Sequence, residues 1–191
     1  MKSRSRTMFF SGSQFDAQSR TYTEKAGAET RKLTDDEVLN GDLDIISQQI
    51  AAKHSIVVPT LALESGELPK YRRDGDYIEF SIPFKGDAVW FSVNPRQSYS
   101  PSEAPSGNIA GQTLVLDYSV KQHSGEEMHA TLHSDIAKIN KYLQELSNKA
   151  QLFNKKLPGI LLSSLQQRRE QIINDNSIES QLDKLGYKPA T

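Results

Sequence analysis

The chain has 191 residues, 36% hydrophobic and 25% charged, with no cysteine and a formal net charge of −1. That length suffices for one domain with a real core, or for a small domain with a helical appendage. No apolar run approaches the roughly 20 residues that cross a bilayer, the start MKSRSRTMFFSGSQF lacks the apolar stretch of a secretory signal, and disulfides, thiolate chemistry and cysteine zinc sites are excluded. The expected location is therefore the cytoplasm.

Charge is unevenly spread. Residues 1 to 33 hold seven Lys/Arg against three acids, and residues 34 to 67 hold seven acids and only Lys53. A basic arm beside an acidic segment either contacts nucleic acid or is attracted to its own neighbour. The arm, residues 1–34, has no sustained period and reads as loop with one short strand near Met8 to Phe10. Thr34 followed by Glu37 is a capping-box pattern, and Leu39, Leu43, Ile46 and Ile50 follow at helical spacing. This predicts a helix from about Asp42 to Lys53 after a short turn.

A β section comes next, so that residues 35–122 read as helix plus antiparallel sheet. Ile56 to Leu63 is a strand candidate weakened by Pro59, and the charged segment 65–76 reads as loop. Tyr77 to Phe84 alternates, with Ile78, Phe80, Ile82 and Phe84 on one face. Gly86-Asp87 suggests a tight turn into a second strand, Ala88 to Val93, with Val89, Phe91 and Val93 on one face and Trp90 on the other. Asn94 to Gly111, rich in Pro and Gly, reads as a long loop, and Gln112 to Val120 as a further strand.

After Gly125 the period changes. Leu132, Ile136, Ile139, Leu143, Leu146, Ala150, Phe153 and Leu157 form an unbroken heptad seam, which must be covered. Pro158-Gly159 interrupts it, and Leu161, Leu165, Arg168 and Ile172 resume it. The simplest reading of residues 123–191 is an antiparallel helical hairpin turning near Asn154 to Pro158, followed by a short helix from Ser177 to Leu185, packed with the sheet as one domain. The alternative is one long helix kinked at Pro158. The expected fold class is α+β: a small, mostly antiparallel sheet with an N-terminal helix and a long C-terminal helical hairpin.

No reaction is legible. His129 and His133 lie four apart on one helix face and are weak metal candidates, but Ala130 stands where a zinc protease needs Glu, so no metal is assigned. There is no G-x-S-x-G elbow, no phosphate-cradling glycine loop and no Glu-x-Lys or Asp-x-Lys pair of the kind metal-dependent nucleases use. The reading is therefore of no enzyme and no cofactor. Lys70, Arg72 and Arg73 with Tyr71 between them are nucleic-acid candidates, because cations grip phosphate and a ring stacks on a base. Arg168, on the helical seam where an apolar residue is expected, its neighbour Arg169, and Trp90, opposite the apolar face, are partner-binding candidates.

In chain order, IPFKGDAVWFSVNP, PSEAPSGNIAGQTLVLDY, LFNKKLP, LQQRRE and LDKLGYKP together resemble the N-terminal, non-catalytic region of bacterial anti-phage defence proteins whose C-terminal half is a restriction-endonuclease-like or comparable effector domain. The likeness covers roughly residues 55 to 189. It implies a sensor, adaptor or assembly module acting through protein contacts with an effector, such as a nuclease, or with itself. The alternative is a nucleic-acid sensor using the basic arm with Arg72, Arg73, Arg168 and Arg169.

Overall fold

The computed structural model describes residues 6–63, 68–95 and 104–187. Lys2 and Arg4 of the basic arm, and the Pro-rich stretch from 96 to 103, lie outside the described residues. Two compact units are present: Met1–Gln18 with Val57–Gln151, and Ser19–Ile56 with Leu152–Thr191. The α+β class stands, with a helix near the N-terminus, a curled antiparallel sheet and a long helix at the C-terminus.

In the first unit, β1 (Thr7–Met8), β2 (Thr60–Leu61), β3 (Lys70–Asp74), β4 (Tyr77–Lys85), β5 (Ser106–Ala110) and β6 (Thr113–Ser119) form an antiparallel sheet in the order β1-β5-β6-β4-β2, with β3 also on β4. β6 takes one edge of β4. β3 and β2 share the other, one beside Tyr77 to Ser81 and the next beside Phe84 and Lys85. The alternation expected for β4 holds at its far end, where Ile82 and Phe84 are buried beside Leu114 and Leu116 of β6. On the opposite face Glu79 and Asp117 are cross-strand partners and, unusually for carboxylates, nearly buried.

Two local expectations are corrected here. β4 does not turn back into a strand at Gly86; its hairpin partner is β3, inside the segment read as a charged loop. The turn Asp74-Gly75-Asp76-Tyr77 has Gly75 at φ 61 in its first central position, as in a type II′ turn. After β4, Asp87 accepts a hydrogen bond from Val89 N at 3.0 Å and starts a 3-10 helix, Ala88–Phe91. Gly86 holds φ 114, and a Cβ there would lie 2.8 Å from Pro59 Cα. The approach of residue 59, 27 positions earlier, is a long-range fact that no local pattern encodes. The long loop is also corrected in part, since its end is β5.

In the described part of the N-terminal arm a short strand, β1, stands near the expected position, but most of the rest is not the expected loop. Phe9 and Phe10 are buried, Phe9 N donates to Pro105 O at 3.0 Å, and Phe10, in the left-handed region at φ 57, sets its ring 5.0 Å from that of Tyr142. Residues 15 to 30 form α1 (Phe15–Thr30). Its inward positions do recur at helical spacing, but beyond Phe15, Gln18 and Tyr22 they are occupied by Ser19, Thr23, Ala26, Gly27 and Thr30. A face of small side chains packs closely without the apolar signature that marks most amphipathic helices.

In the second unit, α2 (Asp35–Asn40) begins at the expected capping box, Thr34 with Glu37, and α3 (Leu43–Lys53) begins at Asp42, within one residue of the predicted start. The hairpin is replaced by one 60-residue helix, α4 (Gly125–Lys184), with Pro158 inside it; the short last helix is its end. Ser124 and Glu127 open α4 with a second capping box. Pro158 removes one main-chain bond and strains the preceding turn, an effect of about 3 kcal/mol. Yet Leu157, Leu161 and Leu165 are all buried, and each contributes about 1.5–3 kcal/mol, so burial on both sides of the proline outweighs it. Leu157 and Leu161 pack with Ala26, Ile50 and Ala51, and Leu165 with Val38 and Leu43. Within the first unit, Leu132, Ile139, Leu143, Leu146 and Ala150 of the earlier seam are buried, and Tyr118 of β6 donates to Asp135 Oδ2 of α4 at 2.9 Å. Among the described residues no helix is long and apolar enough to cross a membrane.

Candidate interaction surface

Two of the partner candidates are engaged inside the second unit. The last carbonyls of a helix have no partner within it and carry its negative end, which cations complement. Arg168 donates to Thr30 O at 3.1 Å, Leu33 O at 2.8 Å and Asp35 Oδ1 at 2.7 Å. It thereby closes the C-terminus of α1 and the link to α2. Arg169 does the same for α2, donating to Val38 O and Gly41 O, each at 2.6 Å. The arginine that breaks the apolar seam is thus a cap. The third candidate, Trp90, is fully buried, with its ring 5.8 Å from that of Phe15. The expectation that it faces outward followed from a strand at 88–93, and the 3-10 helix turns it inward.

The nucleic-acid candidates share β3, where every residue is exposed. Alternation divides them. Lys70 and Arg72 lie on one face, where Arg72 Nε pairs with Glu79 and, two strands on, Arg6 pairs with Asp117 at 2.8 Å. The result is a row of charge across the sheet: Arg72, Glu79, Asp117 and Arg6. Tyr71 and Arg73 lie on the other face. Tyr71 is 71% exposed and begins a run of rings, 6.3 Å to Phe80 and 5.8 Å from Phe80 to Tyr118. Burial and the neighbouring Asp135 carboxylate push the Tyr118 hydroxyl well above its ordinary pKa, so it stays protonated as a donor.

His129 and His133 come together, with ring centroids 4.3 Å apart on an exposed helix face. Among the described residues no group of three or more His, Asp or Glu side chains is placed to hold a metal ion. His54 Nε2 stands 3.1 Å from Glu29 Oε1, and this contact is the main cause that lowers the Glu29 carboxyl below its ordinary value.

The surface that sequence reasoning missed is the end of α4. Ile178 and Leu182, at i and i+4 on one face of α4, are 54% and 44% exposed, and Leu185, in the turn that closes the helix with its N–H on Gln181 O and Leu182 O, is 74% exposed. Helical geometry places Asp175 and Glu179 along one flank of that stripe, and Asn174 and Gln181 along the other. The spacing was present in the sequence. As a separate short helix from Ser177 to Leu185 the segment gives no sign that these residues stay exposed.

No family model matches the chain, and neither a curated protein nor a solved structure matches it.

Proposed function

We propose that the chain is a non-enzymatic binding module that engages a protein partner through the last turns of α4, in the setting of bacterial defence against phage that its resemblance implies. One observation carries this reading: Ile178, Leu182 and Leu185 stay in water at the anchor spacing by which a helix lies in an apolar groove. An exposed apolar stripe costs solubility unless it is covered. Arg168 and Arg169 support the module indirectly, by fixing the helices of the unit that carries the surface.

Light scattering on the chain alone and mixed with the product of each adjacent gene tests the proposal. A complex is expected, and Leu182→Asp abolishes it while the circular dichroism spectrum is unchanged. Neither self-association nor any complex, or a complex indifferent to Leu182→Asp, overturns it.

A second reading rests on Tyr71, whose exposed ring lies beside Arg73 on the β3 edge. It takes single-stranded nucleic acid by stacking and phosphate contact. With Arg6 bound to Asp117, Arg72 to Glu79 and both helix arginines to carbonyls, Lys70, Tyr71 and Arg73 are the β3 residues that serve it. Binding that falls steeply with salt and drops on Tyr71→Ala is expected, and no binding at low salt dismisses it.

A further inference from the structure

The second unit carries a groove as well as the stripe. α1, the link after it, α2 and α3 enclose an open groove of about 450 Å³, with Leu33, Ile46 and Ile50 among its lining residues and Lys32 and Lys53 at its rim. Leu33 and Ile46 are only half-buried, so the floor presents apolar surface to water. The volume falls within the range of about 300–1,000 Å³ in which concave sites bury a ligand.

The charges at the rim decide what fits. Glu29 is held by Lys53 at 3.6 Å and by His54. Glu37 is turned away into its capping box, its carboxylate accepting from Thr34 N at 2.7 Å. Lys32 is exposed and has no ion pair among the described residues. The groove therefore offers an apolar floor and, on a rim whose charges balance overall, one lysine that no ion pair holds. The end of α4 offers the complement, three aliphatic side chains flanked by Asp175 and Glu179, neither of which has an ion pair among the described residues.

We infer that the occupant of this groove is the α4 end of a second copy of the chain, with Ile178, Leu182 and Leu185 on the floor formed by Leu33 and Ile46, and Asp175 or Glu179 against Lys32. This deepens the proposed function and rests on it, since the same stripe is used. The contact joins two different surfaces, so each added copy leaves one groove and one helix end open. Such a head-to-tail contact propagates into a ring or an open chain of copies rather than stopping at a dimer. Three anchor side chains bury less than a standard interface, so assembly is weak, with growth in mass between about 10 µM and 1 mM. A weak head-to-tail contact suits a module that assembles only when it is locally concentrated.

The experiment is light scattering of the whole chain over that range, with two variants at exposed positions. Leu182→Asp disables the helix end, and Lys32→Glu with Gln49→Glu disables the groove. The average mass is expected to rise with concentration, and each variant to weaken association by about thirtyfold or more for the anchor and about fivefold for the rim pair. Mixed together, the two variants retain one working groove and one working end, and give a dimer that grows no further. A chain that stays monomeric at 1 mM, an oligomer indifferent to the groove variant, or a mixture that does not form the dimer overturns the inference. If the chain is monomeric yet still forms a Leu182-dependent complex with an adjacent gene product, this inference fails and the proposed function stands. Unchanged circular dichroism of both variants keeps a folding defect from imitating either result.

Discussion

Replacing Arg168 with Met keeps the aliphatic stem in the helix seam and removes the guanidinium. Two main-chain carbonyls, Thr30 O and Leu33 O, then lose a charged donor. Hydrogen bonds to a charged group contribute about 1.5–3 kcal/mol each, and the low end applies because the arginine side chain is 30% exposed. The Asp35 pair adds almost nothing, since that carboxylate is 66% exposed. The expected loss is therefore about 3 kcal/mol. In a chain of this size that lowers the melting midpoint by about 6–12 °C, measured by circular dichroism at the helix band. The shift should persist in high salt, because bonds to carbonyls are screened less than an exposed ion pair. A shift below about 2 °C refutes the cap and returns Arg168 to the surface as a recognition residue.

Three further outcomes follow from the same reasoning. Asn154 accepts from Ile56 N at 2.8 Å and donates to Ile56 O at 3.0 Å; Ile56 is buried, so Asn154→Ala strands two main-chain groups and should cost about 2–6 kcal/mol in urea titration. Gly86→Ala meets both a positive φ and the main chain of Pro59, and thermal melts should show a loss of about 2 kcal/mol or more, where an ordinary turn glycine shows less than 1. The carboxyls of Glu37 and Glu127 are held below 4.5 by the N–H and hydroxyl groups of Thr34 and Ser124. Because their folded pKa values are depressed, the stability they contribute is complete at neutral pH and is lost as pH falls through those values, below 4.5. The double variant Glu37→Ala/Glu127→Ala should melt at a lower temperature than the parent at pH 7 and show a flatter decline between pH 5 and 3.

Local signals were legible in the sequence, and distant ones were not. The capping box at Thr34, the start of α3 at Asp42 and the alternation along β4 and β6 depend on residues within a few positions of one another, and the structure has them where the pattern put them. β3 was hidden because an edge strand needs pairing on one side only and gains by carrying charge, so Lys70 to Asp74 looks like a loop. The strand expected at Ala88 to Val93 failed because its alternation was incidental; Asp87 caps a helix there, and Gly86 bends beside a proline far away in sequence. α1 was hidden because, past Phe15 and Tyr22, the side chains on its inner face are small. The end of α4 was misjudged because Pro158 marks a break by local rules, while the leucines around it bury enough surface to carry the helix through.

The pairing of Arg6 with Asp117 changes what trimming the chain would do. Terminal residues are usually dispensable, since few contacts hold them. Here a peptidase that cleaved after Arg6 would remove the cation facing a carboxylate whose side chain is only 2% exposed, and a buried charge without its partner is destabilising on the scale of a core substitution. The same cut would make Thr7, the first residue of β1, the new terminus, leaving that strand to fray. A tag or protease site placed at this end would act on the middle of the sheet.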